Sequence, residues 1–135
     1  MSKGRLILTM VALVWVVYAL HLWQVQRNVN KQLSTALARL GEIRYDVAGV
    51  YMQEGDLEKA DSGYGHVPPA GMIDDGVAEI SVEDGRIEAA FTEAAASGLA
   101  GNRLHLVPGD AGGTALSWRC TSPDIEKELL PEPCR

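Results

Sequence analysis

The feature that most constrains this chain is an apolar run over residues 6–23, which holds no formally charged side chain when His21 is neutral. A helix needs roughly 17–25 apolar residues to cross a bilayer, so this run is just long enough. A removable export signal has an apolar core of about 7–15 residues followed by a small-residue cleavage site. This run leads instead into Trp23 and Gln24. We therefore predict an uncleaved transmembrane stem over residues 6–23.

Flanking charge sets the expected orientation of the stem. Lys3 and Arg5 precede the apolar run, and segments rich in Lys and Arg stay in the cytoplasm. Residues 1–5 are therefore expected to form a cytoplasmic leader, and the part after the stem is expected to be exported. The two cysteines, Cys120 and Cys134, predict one local disulfide in an exported domain and two inert thiols in a cytoplasmic one. With export, we predict the disulfide.

Beyond the stem, the apolar residues fall on one side of a helix. They recur at alternating steps of three and four, at Leu33, Ala36, Leu40, Ile43, Val47 and Val50. The pattern ends at Glu54-Gly55, where Gly is typical of the position after a last helical turn. We predict one continuous helix whose amphipathic half covers residues 24–54. The stripe fits a coiled-coil seam or, as we favour, a face on the protein's own core, and Gly41 and Gly49 predict bends or close packing.

The remaining residues, 55–135, predict a small β domain against which the amphipathic half of the helix packs. Residues 55–76 are rich in Gly, Pro, Asp and Ser and predict a loop, and Pro68-Pro69 excludes a regular element there. Apolar residues then alternate with period two, which predicts four strands at VAEISV, IEAAF, LAGNRLHLVP and GGTALSWRC. Asp84-Gly85 predicts a hairpin turn between the first two. The predicted fold class is α+β, with a long helix packed on a four-stranded antiparallel sheet whose other face is exposed to solvent.

Signs of catalysis or cofactor binding are weak. The three histidines, His21, His66 and His105, do not have a second ligand at metal-binding spacing. Adjacent acidic pairs sit beside Gly in predicted turns, and no phosphate-binding Gly-rich motif occurs. We predict no enzyme activity, no metal and no cofactor. The formal net charge of −6 also disfavours non-specific attraction to nucleic acid.

The order of these features resembles the type IV pilin family over nearly the full chain. The most specific likeness is a C-terminal pattern of a G-x-x-L-x-L-x-P strand, an L-x-W-x-C strand and a short loop ending in L-P-x-x-C. Its residues here are Gly101, Leu104, Leu106 and Pro108, then Leu116, Trp118 and Cys120, then Leu130, Pro131 and Cys134. The resemblance implies a pilin-like fold with a C-terminal disulfide loop, in a protein of a Gram-negative bacterium.

The N-terminus departs from the pattern of that family. Pilins are cut after a Gly that follows basic residues, usually before an aromatic residue or Met, and the candidate junction here is Gly4-Arg5. The family also carries a Glu as the fifth residue after the cut, where this chain has Thr9. A carboxylate buried among stems is costly unless it pairs with a partner subunit's free amine, and Thr cannot make that pair. The resemblance therefore favours a minor or accessory pilin.

The expected function is that of a single-pass inner-membrane protein with a periplasmic domain, in a type IV pilus or a related secretion pseudopilus. Its expected partners are the lipid bilayer and other pilin or assembly subunits, which it meets through the N-terminal helix. An alternative is a DNA- or ligand-binding receptor on the same scaffold, with Arg103, His105 and Arg119 on the outer sheet face as candidate nucleic-acid contacts. A regulator of the pilus machinery that stays outside any filament is a third possibility.

Overall fold

The computed structural model describes residues 2–110 and 115–135, and in them a long helix precedes a five-stranded antiparallel sheet. The helix, α1, is Lys3–Glu54, and the strands are β1 Gly71–Ile73, β2 Ala78–Glu83, β3 Arg86–Phe91, β4 Arg103–Asp110 and β5 Leu116–Thr121. Strand order in the sheet follows chain order, so the sheet is a simple meander. Residues 112–114 of the last predicted strand lie outside the described residues, as does Met1 of the predicted leader.

Helix α1 is continuous from the apolar run into the amphipathic half, as predicted. At about 1.5 Å per residue it is about 78 Å long. The helix is capped by Gly55, which has a left-handed backbone (φ 81°) and whose N–H donates to the Tyr51 carbonyl at 2.9 Å. That conformation is open to Gly at little steric cost, which explains the sharp end of the helix.

The amphipathic half of α1 lies over β3, the middle strand. Its buried residues are Val29, Leu33, Ala36, Leu40, Ile43, Val47 and Val50. These include all six positions of the predicted stripe, and Val29 extends it by one turn. The stripe is covered by the chain's own sheet, so it belongs to the core and is not a coiled-coil seam. Neither Gly41 nor Gly49 is closely packed within the chain, since an added Cβ would meet nothing within 4 Å.

The predicted alternation of the strands is confirmed. The inner face carries Ala78, Ile80, Val82, Ile87, Ala89, Phe91 and Leu104, all of which are buried. Asp84 and Gly85 both have positive φ, 49° and 79°, as the tight turn between β2 and β3 requires. On β5 only Cys120 is buried, while Leu116 and Trp118 are half-buried because α1 lies over β3 and leaves the flank of the sheet less covered.

The prediction of four strands is wrong, because β1 lies inside the segment predicted as a loop. Gly71–Ile73 pairs antiparallel with β2, with Gly71 opposite Ile80 and Ile73 opposite Ala78. The strand starts two residues after Pro68-Pro69 and is three residues long, with an exposed Met in the middle. A strand this short has almost no alternation of its own. Its position is set by hydrogen bonds to β2, which a reading of single-segment patterns does not detect.

The C-terminal loop is held to the sheet by a disulfide, which confirms the prediction. Cys120 on β5 and Cys134 are bonded, with their Cα atoms 4.5 Å apart. Ser122 Oγ donates to the Arg103 carbonyl at 2.6 Å, and the Arg103 N–H donates to Asp124 Oδ1 at 2.8 Å. The start of the loop is therefore fixed to the start of β4.

Candidate functional site

The stem is a continuous apolar surface that the described part of the chain leaves uncovered. Every large apolar side chain in it is more than 45% exposed, from Leu6 at 57% to Trp23 at 56%. Among the described residues, α1 is the one helix long and apolar enough to cross a membrane, and 0% of its most apolar window is buried. An apolar surface of this size is unfavourable in contact with water, so we expect lipid or other apolar helices to cover it.

The candidate cleavage junction lies in the first turn of α1. The helix starts at Lys3, and the Arg5 N–H donates to the Ser2 carbonyl at 3.0 Å, so Gly4 and Arg5 are already helical. One turn later, Thr9 Oγ1 donates to the Leu6 carbonyl at 2.8 Å. The hydroxyl is thus satisfied inside its own helix, and the stem presents no ionised group at this position.

A second apolar stripe runs along α1 on the side opposite the core. It consists of Ala38, Gly41, Tyr45, Ala48 and Met52, again at alternating steps of three and four. We call it the outward stripe. Tyr45 is 69% exposed and Met52 is 70% exposed, so neither is used by the subunit's own core. The small residues of the stripe, Ala38, Gly41 and Ala48, leave room beside Tyr45 and Met52 for close approach of another helix.

The outer face of the sheet holds the three candidate nucleic-acid contacts. Arg103 and His105 lie on β4, and Arg119 lies on β5 opposite Val107. His105 is already engaged, with 2.7 Å between its Nε2 and Oε2 of Glu88 on the neighbouring strand. At about 3.3 Å per residue, Arg103 and Arg119 are about 13 Å apart along the strands.

This face is not uniformly basic. Its outward positions in the strand pairs include Glu79, Glu83 and Glu88 as well as Arg86, Arg103 and Arg119. Carboxylates alternate with guanidinium groups, so a phosphate backbone would meet both signs of charge. Contact of Arg103, His105 and Arg119 with nucleic acid stays a prediction.

A polar cluster ties the loop after α1 back to the end of the helix. The Tyr64 hydroxyl donates to Glu54 Oε1 at 2.7 Å, and Lys59 Nζ lies 3.2 Å from Glu54 Oε2. The hydrogen bond from Tyr64, followed by that from Lys59, lowers the pKa of Glu54. The same bonds to the Glu54 carboxylate raise the pKa of Tyr64 and of Lys59. The cluster is solvent-exposed and ties Lys59 and Tyr64 of the loop to Glu54 at the end of the helix.

No group of three or more His, Cys, Asp and Glu able to hold a metal occurs in the part of the chain that the structure describes. His21 lies in the stem, His66 in the loop, and His105 on β4, so the fold does not bring the three histidines together. The adjacent acids at 74–75 lie in the turn between β1 and β2, with Asp74 and Asp75 both at positive φ.

Comparison with known families decides what this arrangement is. The family described as pilin, a bacterial filament protein, matches residues 31–135, which is most of the chain. The chain belongs to the pilin family. The match covers residues 31–54 of the amphipathic half of α1, the whole sheet and the disulfide loop.

A solved structure gives the same fold for this pilin. The solution NMR structure of the major type IV pilin PpdD from enterohemorrhagic Escherichia coli matches with a TM-score of 0.58 and 21% sequence identity. The match covers 77% of this chain and 76% of that one. The comparison with curated proteins found none that matches. The predicted type IV pilin resemblance is thereby confirmed.

Family membership fixes the coarse function of this pilin. The pilin family and fold are those of structural filament proteins, which associate with other pilin subunits in a pilus. The exposed apolar half of α1 indicates a location in a membrane or in a pilus.

Two features of this pilin were missed from the sequence. The outward stripe has the same three-and-four spacing as the core stripe, so a search for a second periodic face would have found it. The Glu88–His105 pair depends on the register between β3 and β4, which alternation within one strand does not fix.

Proposed function

We propose that this pilin is a minor or accessory subunit of a type IV pilus or a related secretion pseudopilus, anchored in the bacterial inner membrane. The observation that carries the proposal is the stem: an apolar, exposed half-helix continuous with the helix that supports the head, with Thr9 where the family has a Glu. Anchoring and lateral packing both use this surface. The missing acid argues for a subunit that is not added in bulk.

The proposed orientation places the leader in the cytoplasm and the head in the periplasm. Lys3 and Arg5 favour a cytoplasmic leader, but Arg27 and Lys31 follow the stem closely, so counting cations separates the two ends poorly. The Cys120–Cys134 disulfide gives stronger support, because such bonds persist in the periplasm and are rare in the cytosol.

Lateral association is proposed to use the stem and then the outward stripe. The two surfaces follow one another on α1, so a neighbouring helix could pack along both. Tyr45 and Met52 supply apolar area, and Gly41 allows the helices to approach because nothing within its own chain occupies that space. Gly at position 41 costs the helix about 1 kcal/mol relative to Ala, and in the described part of the chain nothing lies close enough to exclude a Cβ there.

The argument for a minor role rests on charge inside the stem. A Glu at position 9 would need a cationic partner among apolar stems, and that requirement would fix the register of each added subunit. The Thr9 hydroxyl needs no such partner because it donates a hydrogen bond to the Leu6 carbonyl. Thr9 therefore does not favour one register between neighbouring stems over another.

Gain of function tests this proposal. Thr9→Glu is expected to raise the amount of this pilin in filaments sheared from cells, relative to the amount left in the membrane fraction. Thr9→Gln, which is the same size without the charge, is the matched control and should behave like the parent. Incorporation of the parent as the main component of sheared filaments would contradict the minor role.

The mature N-terminus provides a second test. Mass spectrometry on protein from a host with its prepilin peptidase distinguishes a start at Arg5 from an uncut leader. A start at Arg5, especially when methylated, supports a filament subunit. An uncut chain that is absent from sheared filaments would replace the subunit proposal with a membrane-resident regulator.

A further inference from the structure

The end of the stem carries a small aromatic and cationic cluster that no feature of the fold uses. The Arg27 guanidinium carbon lies 4.7 Å from the centroid of the Trp23 ring, one helical turn away. Lys31 follows after another turn, and all three side chains are exposed. We call Trp23, Arg27 and Lys31 the basic neck. Spacing of four residues places them on one side of α1.

In the part of the chain that the structure describes, the two cations of the basic neck have no acidic partner. Among the described residues, ion pairs join Arg39 to Glu42, Lys59 to Glu54 and His105 to Glu88, and none involves Arg27 or Lys31. The first 41 residues contain no Asp or Glu, and all 18 acidic residues lie farther along the chain. A partner for the neck must therefore come from outside this part of the helix.

The neck lies at the height of lipid phosphates when the stem is in a bilayer. Residues 6–23 are about 27 Å long at about 1.5 Å per residue, close to the hydrocarbon thickness of about 30 Å. Arg27 is then about 6 Å beyond Trp23 along the helix, and Lys31 is about 12 Å beyond it. Those heights fall within and just outside the headgroup layer, where Trp side chains also settle.

The geometry of Arg27 suits a phosphate. Its guanidinium is held by one face on the Trp23 ring, and this leaves the edge N–H groups free to donate to two oxygens of one anion. Lys31 adds a second positive charge at the outer edge of the layer. Building on the proposed membrane anchoring, we propose that Trp23, Arg27 and Lys31 bind the phosphate of anionic phospholipids in the leaflet at the distal end of the stem.

Lipid is favoured over the acidic head of a neighbouring subunit because the site is contiguous with the bilayer-spanning surface. Trp23 is both the last residue of the stem and the platform for Arg27, so the cation is fixed at one depth in the leaflet. A contact with a neighbouring head would need only surface charge and no aromatic platform at that depth.

Brominated lipids measure the contact in the full chain. Trp15→Phe and Trp118→Phe leave Trp23 as the single tryptophan of the three. Nanodiscs holding one chain each are made from phosphatidylcholine with a minority of phosphatidylglycerol, and bromine is placed on either lipid in turn. The ratio of Trp23 quenching by brominated phosphatidylglycerol to quenching by brominated phosphatidylcholine should exceed the ratio of the two lipids in the nanodisc, by roughly fivefold for each neck cation at low salt.

Removing the positive charges of Arg27 and Lys31 should remove the preference for phosphatidylglycerol. Arg27→Gln with Lys31→Gln is expected to make quenching by the two lipids proportional to their amounts. Arg39→Gln, a cation already paired with Glu42, and Lys3→Gln with Arg5→Gln, at the other end of the stem, are matched controls that should keep the preference. Native mass spectrometry of the chain with all its tryptophans, counting retained phosphatidylglycerol, gives the same comparison if Trp118→Phe disturbs the head.

Other outcomes of the quenching experiment would contradict the proposed lipid site. Quenching in the parent in proportion to the amounts of the two lipids, or a preference that survives loss of both cations, would refute the lipid site. Lack of preference in nanodiscs together with charge-dependent association of chains in crowded vesicles would assign the neck to a neighbouring acidic head instead. If neither lipid quenches Trp23, the stem is not inserted, and the proposed anchoring fails with the inference.

Discussion

His105 on β4 and Glu88 on β3 lie opposite each other on the outer face of the sheet, with 2.7 Å between Nε2 and Oε2. Their side chains are only 14% and 22% exposed, although they are on the face turned away from the core. The pair links the two strands through side chains as well as through the backbone. His105 is therefore a cross-strand contact first, and its availability to an outside partner is reduced.

The Glu88–His105 contact is expected to stabilise the head by about 1 kcal/mol, since a side-chain hydrogen bond between partly buried groups is worth about 0.5–1.5 kcal/mol. The change is a double-mutant cycle with Glu88→Ala and His105→Ala. Denaturant unfolding of the full chain in detergent micelles measures the four free energies. A coupling below about 0.3 kcal/mol, the usual error of additivity, would mean that the contact contributes nothing.

Nucleic-acid binding by the outer face is expected to be weak because glutamates alternate with the arginines there. Arg103→Glu with Arg119→Glu should change DNA binding by the full chain little, at any salt concentration. Fluorescence anisotropy with labelled duplex DNA over a salt series provides the measurement. Binding that falls steeply with salt in the parent and is lost in the double variant would favour the receptor alternative.

Leu40 should contribute to the stability of the head, whereas Leu13 should not. Leu40 is 0% exposed under the sheet, and Leu40→Ala is expected to lower the free energy of unfolding by about 2–5 kcal/mol. Leu13 is 62% exposed and serves as a matched control, with an expected change within about 0.5 kcal/mol. Urea unfolding in micelles, followed by Trp118 fluorescence, compares them. Equal losses would show that the stem is part of the folding unit of the head.

A feature of this structure could be predicted from the sequence when the residues that determine it lie close together in the chain. The core stripe through Leu40 and the alternation around Ile80 were predictable because burial on a helix or strand repeats within a few residues. The disulfide was predictable because the chain has a single pair of cysteines and because the predicted stem implied export of the part that holds them. The helix stripe and the strand alternation depend on neighbouring residues, and the disulfide depended on a choice between a bonded and a free pair of cysteines.

The errors concern registers, which are set between segments. β1 was missed because Gly71–Ile73 is defined by the backbone of β2 and has little pattern of its own. Arg103, His105 and Arg119 were correctly expected on one face, yet the glutamates between them became neighbours only through the pairing of β2 with β3 and β4. The charge of a sheet face therefore depends on which strands pair and in which register.

The Cys120–Cys134 disulfide should stabilise the head by about 3 kcal/mol, the chain-entropy value for a loop of about 15 residues. Cys120→Ser with Cys134→Ser is the change, and denaturant unfolding in micelles is the measurement. Alkylation in intact cells before and after reduction tests location at the same time. Thiols that react in the unreduced protein and only from the cytoplasmic side would contradict both the bond and the periplasmic head.

The cluster at the end of α1 should make the loop depend on pH in a defined window. The pKa of Glu54 is lowered from its ordinary 4.5 by the Tyr64 hydrogen bond, so its contribution is present above pH 4.5 and lost as pH falls through the folded value. The pKa of Tyr64 is raised above its ordinary 10.0 by the same bond, so its contribution is present below pH 10.0 and lost as pH rises through the folded value.

Tyr64→Phe removes the hydrogen bond, so the stability difference between parent and variant should be largest between pH 4.5 and 10.0 and shrink on both sides. Tyr51→Phe, on the last turns of the same helix, is the control and should show no such window. NMR titration of the Tyr64 ring in the full chain measures the cause directly, since the ring should titrate above pH 10.0. Titration at or below that value, with a flat stability difference, would show that the loop is not held to Glu54 in solution.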